Sequence, residues 1–61
     1  MTKNRFKHNR EYLAQVVDNS IKNIKKGKTL YKELMDTGYS LYLTTEEMQT
    51  LETAIKSKLG V

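Results

Sequence analysis

The chain has 61 residues, 38% hydrophobic and 30% charged, with a formal net charge of +4. That length accommodates one domain, and the lack of cysteine excludes disulfides and thiolate metal sites. No run of about 20 apolar residues is present, which excludes a membrane-spanning helix.

The charge is unevenly spread. Residues 1–32 hold nine basic residues against Glu11 and Asp18, a net of +7. Residues 33–61 hold Lys56 and Lys58 against five acids, a net of −3. A chain this short buries only about 60% of its unfolded surface, so its core is marginal and self-association is the stabiliser left open. The lack of a secretory leader pattern and of cysteine points to a cytoplasmic setting.

In chain order, residues 1–8 carry Lys3, Arg5, Lys7 and the single histidine, His8, without helical periodicity. They are expected to form a flexible basic arm ahead of one α-helical domain over 9–61. Asn9 suits a helix N-cap, and Glu11 suits the positive end of the helix dipole.

From residue 10 onward, apolar residues recur at helical spacing: Tyr12, Leu13, Val16, Val17, Ile21 and Ile24, then Leu30, Tyr31, Leu34 and Met35. The two groups share one half of the helical wheel when the phase is carried through Gly27. This predicts a single long helix over about 10–37, with the glycine's cost of about 1 kcal/mol outweighed by packing; a break at Gly27 is the alternative. Gly27-Lys28-Thr29 also resembles the end of a phosphate-binding loop. That loop requires a second glycine where Lys22 stands, and a strand leading into it, so nucleotide binding is not expected.

Gly38 is the natural left-handed terminator for the long helix, and "YSLYL" at 39–43 alternates as an extended connector would. Thr44 followed by Glu47 reads as a capping box that opens a second helix over about 45–59. Met48, Leu51, Ile55 and Leu59 form its stripe, and Gly60 ends it. The expected fold is therefore all-α: a helical hairpin with unequal arms, joined to a second copy in an antiparallel four-helix bundle. Leu13, Val17, Ile21, Ile24, Leu34, Met48, Leu51 and Ile55 would supply the core and dimer seam.

No catalytic constellation emerges. His8 lacks an orienting carboxylate, and Glu46 and Glu47 diverge by 100° on a helix, so they cannot share a proton or a metal. Neither a metal site nor a cofactor is expected, and the chain reads as non-enzymatic. Two binding functions remain. Tyr39 and Tyr42 flank the connector, and amphipathic tyrosines are common interface anchors. They point to a regulatory or accessory protein that acts on another protein, as the small inhibitors and adaptors of phages and mobile elements do. The alternative is nucleic-acid binding through Lys3, Arg5, Lys7, Arg10, Lys22, Lys25, Lys26 and Lys28, whose charges would neutralise phosphates without reading bases. Phe6 alone is too little for a base-stacking platform.

Overall fold

The computed structural model describes residues 4–60. The described chain is all-helical, with four helices packed together: α1 (Arg5–His8), α2 (Arg10–Lys25), α3 (Leu30–Leu41) and α4 (Thr45–Leu59). α2 packs against both α3 and α4, and α1 bridges α2 and α4. One core joins them, built from Phe6, Val16, Val17, Ile21, Leu34, Leu51 and Ile55.

α1 departs from the flexible arm expected over 1–8. Lys3 lies outside the described residues, but from Asn4 onward the chain is tied down. The Asn4 side chain accepts from the backbone N–H groups of Phe6 and Lys7 and donates to Thr50 on α4. This turn delivers Phe6 into the core at 1% exposure, with its ring 5.5 Å from that of Tyr12. Burying such a side chain is worth roughly 1.5–3 kcal/mol, enough to fix a short segment that has no helical strength of its own.

The single helix over 10–37 does not form. α2 stops at Lys25, Gly27 adopts φ 114°, and Thr29 caps the N-terminus of α3 by accepting from the Lys32 N–H. The common phase is realised only in part, since Leu30 and Leu34 turn to the core while Tyr31 and Met35 face outward, and it does not discriminate between the two arrangements. Helices that fold back around one core also turn their apolar sides to a common centre. Folding back brings Val17 and Ile21 into one core with Leu34, whereas a straight helix would have left its long apolar face to one short partner. The expected two-armed hairpin therefore gives way to four helices within one chain.

Buried polar groups lock the α2–α3 corner. Glu33, 3% exposed, accepts hydrogen bonds from Asn23 Nδ2 and Thr37 Oγ1, and Lys28 Nζ lies 3.2 Å from its carboxylate. Burial alone would push the Glu33 carboxyl up. Hydrogen bonds from Asn23, Lys28, Thr37 and Ser20 outweigh it and hold the group below its ordinary value.

α3 also runs past its expected end. Gly38 is inside the helix, and a Cβ there would lie 3.1 Å from Met48 Cε and Sδ. The glycine serves close packing of α4 rather than termination. The last turn continues to Leu41, and Tyr42 takes the left-handed conformation (φ 54°, ψ 48°) in place of an extended connector over 39–43. The N–H groups of Tyr42 and Leu43 both reach the Gly38 carbonyl. α4 matches its expected bounds, with the Thr44–Glu47 capping box formed and Gly60 left-handed at φ 78°. Among the described residues, no helix is long and apolar enough to cross a membrane.

Candidate protein-docking face

The α3–α4 bend is held by one charged knot. Glu47, 1% exposed, closes the capping box by accepting from the Thr44 N–H at 2.8 Å. The same carboxylate accepts from the Arg5 backbone N–H at 2.9 Å, from Arg5 Nε at 2.8 Å and from Arg5 Nη2 at 3.2 Å. Arg5 Nη2 also donates to the carbonyls of Leu41 (2.8 Å) and Tyr42 (3.3 Å), the free acceptors at the end of α3. One guanidinium thus joins the start of α1, the end of α3 and the start of α4. Its hydrogen bonds, with those of the Thr44 and Arg5 backbone, outweigh burial and hold the Glu47 carboxyl down at about 2.

This knot fixes the backbone from which Tyr42 projects, 88% exposed. Tyr39, one turn earlier on α3, is 78% exposed, and Met35 and Tyr31 continue the outward ridge at 55% and 66%. Met35, Gly38, Tyr39, Tyr42, Leu43 and Met48 line a shallow apolar depression beside the bend. Four large side chains exposed on one face form a feature that soluble surfaces usually avoid, and such patches mark interaction sites.

The expected residues sort as follows. Val17, Ile21, Leu34, Leu51 and Ile55 are buried, and Leu13 and Ile24 pack on the core from partly exposed positions. Met48 lies half-buried against Gly38. Tyr12 is half-buried beside Phe6, but Tyr31 and Met35, placed by periodicity on the apolar side, face outward.

The proposed phosphate-contacting cations are dispersed. Arg5 is held by Glu47, Lys7 Nζ lies 3.2 Å from Glu46, and Lys28 is shared between Glu33 and Asp36. Arg10, Lys22, Lys25 and Lys26 make no ion pair among the described residues, and the three lysines cluster at the C-terminal end of α2. That position also complements the negative end of the helix dipole.

His8 is exposed on α1, and Glu46 and Glu47 point to different partners. No group of three His, Asp or Glu side chains among the described residues is placed to hold a metal. Sequence reasoning found Glu47 through the capping box but missed Arg5 as its partner, because 42 positions separate them. It also missed the outward ridge of Tyr31 and Met35, because apolar periodicity alone placed both on the core side. No protein-family model, curated protein or solved structure matches the chain.

Proposed function

We propose that this chain is a small non-enzymatic accessory or regulatory protein that self-associates and acts by binding another protein at the α3–α4 bend. The observation that supports this reading is the exposure of Tyr39 and Tyr42 (78% and 88%) beside Leu43 and Met48, on a backbone fixed by the Arg5–Glu47 knot. A rigid support matters because an anchor already held in place loses little freedom on binding. Tyrosine suits the role: its ring contributes apolar area and its hydroxyl stays hydrogen-bonded in a wet rim.

The nucleic-acid reading has less support, since three of its candidate cations are paired with carboxylates of the chain itself. Affinity capture from the native host's lysate, with and without nuclease, tests the proposal. Capture should persist after nuclease treatment and fall at least tenfold with Tyr42→Ala, the scale of one interface anchor. Capture abolished by nuclease, or indifferent to both Tyr39→Ala and Tyr42→Ala, would overturn it.

A further inference from the structure

We infer that the outward ridge of α3 is the self-association seam, occupied by the same ridge of a second copy running antiparallel about a two-fold axis at Met35. This rests on the self-association named above and supplies its geometry. Tyr31, Met35 and Tyr39 stand four residues apart on a single helix ridge and are 66%, 55% and 78% exposed. Ridges of that spacing interdigitate at about −50° in the commonest class of helix pair.

The ridge reads Tyr–Met–Tyr in either direction, so a two-fold axis through Met35 maps it onto itself and sets Tyr31 against the second copy's Tyr39. A two-fold interface needs this self-complementarity. Charge favours the same occupant. The charges beside the ridge balance: Lys28 is shared by Glu33 and Asp36 at 3.2 and 2.6 Å, the exposed Lys32 also acts on Asp36, and Lys56 pairs with Glu52 at 2.9 Å. The face therefore meets its own copy without strong like-charge repulsion, unlike the Lys22, Lys25 and Lys26 end of α2.

Area sets the strength. Scaling about 200 Å² per large side chain by these exposures gives roughly 400 Å² per copy, against about 800 Å² per partner in a standard interface. An interface of that size falls at the weak, transient end of protein contacts, so the dimer is expected at micromolar concentrations and above. Tyr42 lies seven residues from the crossing point, about 10 Å along the axis, where helices crossed at that angle have already diverged. It stays free at each end of the dimer, so Met35 and Tyr39 pass from the bend's depression into the seam and Tyr42, with Leu43 and Met48, is left as the surface for another protein.

The chain's lack of cysteine makes the geometry testable with single introduced thiols. Under mild oxidation Met35→Cys should cross-link to itself, because only a residue on the axis meets its own copy. Tyr31→Cys mixed with Tyr39→Cys should give a mixed disulfide several-fold in excess of either self-linked product, and Lys22→Cys should remain uncross-linked. In sedimentation equilibrium the unmodified chain should rise from 7.1 kDa towards twice that mass. The rise should occur between about 1 and 200 μM, while Met35→Lys stays monomeric with unchanged helical circular dichroism.

A 7.1 kDa mass across that range, or statistical cross-linking in the mixture, would overturn the seam. A monomeric chain that still captures a protein through Tyr42 would overturn the seam and leave the bend reading intact. A dimer that captures nothing would do the reverse. A monomer whose captured protein is lost with Met35→Lys would assign the ridge to that protein instead of a second copy.

Discussion

Arg5 Nε lies 2.8 Å from Glu47 Oε2, while Nη2 of the same guanidinium lies 2.8 Å from the Leu41 carbonyl oxygen, across 42 and 36 positions of sequence. The N-terminal turn is thereby fastened to the bend that presents the tyrosines. Glu47 is nearly fully buried, so its charge is tolerated only because Arg5 and two backbone N–H groups meet it.

That relationship predicts an acid-sensitive fold. Glu47 is lowered from its ordinary 4.5 to about 2 in the folded chain, so the unfolded chain binds the proton more readily. Its stabilisation is fully present above 4.5 and is lost as pH falls towards about 2. The full contribution is at most about 3 kcal/mol, less whatever solvent screens on the Arg5 side. Urea unfolding should show stability lower at pH 3 than at pH 6 by up to about 2 kcal/mol from this group, with Glu33 and Asp36 acting in the same direction. Glu47→Gln should be less stable at pH 6 and show a shallower pH dependence. An unchanged pH dependence in that variant would remove the knot from this account.

Gly27 gives a second prediction. Its φ of 114° is strained for any L side chain, and nothing lies within 4 Å of where a Cβ would stand. Gly27→Ala should therefore cost about 1–2 kcal/mol through the backbone alone. A continuous helix would instead gain up to about 1 kcal/mol from the same change. Thermal or urea unfolding gives the sign, and a stabilised variant would restore the straight helix.

The outcome at Gly27 shows which parts of the fold could be read from sequence. α4 was legible because its determinants are local: Thr44, Glu47 and Gly60 act within a few residues of the termini they define. α2 and α3 were recognised as helical for the same reason, through periodicity. Their separation was not, since hydrophobic phase reports which side faces the core and not whether the axis bends. Thr29 as an N-cap and Glu33 as a buried acceptor were the overlooked signals. Phe6 escaped because one aromatic among charged residues has no periodicity, yet a single ring can fill a core. Tyr39 and Tyr42 were legible as candidates from their chemistry, and their exposure required the tertiary fold.

The free cations limit any interaction with polyanions. Of the candidates, Arg10, Lys22, Lys25 and Lys26 are the four without ion pairs among the described residues. Four phosphate contacts from these residues give a slope of log K against log salt of about −3.6 on duplex DNA, or roughly a 100-fold loss between 50 and 200 mM. Binding of random duplex at 150 mM salt should be weaker than about 10 μM. Fluorescence anisotropy titrations at several salt concentrations check both expectations. A slope near −6 with micromolar affinity would require more phosphate contacts than these four supply, and would favour a nucleic-acid function.

Tyr42 separates stability from function most sharply. It is the one non-glycine residue with positive φ among those described, at 54°, and it is 88% exposed. A tyrosine in the left-handed region costs about 1 kcal/mol or more, and its ring recovers little of that by packing within the chain. Glycine at this position would relieve the strain without disturbing a buried contact. Its greater freedom in the unfolded chain offsets part of the gain. Tyr42→Gly should therefore leave the fold equally stable or stabilise it by up to about 1 kcal/mol. If Tyr42 serves a partner at the bend, the same substitution should weaken capture at least tenfold while the chain remains as helical as before. Paired urea unfolding and capture measurements on the one variant check this. A destabilised Tyr42→Gly chain would mean that the ring supports the fold, and retained capture would mean that the partner contacts a different part of the face.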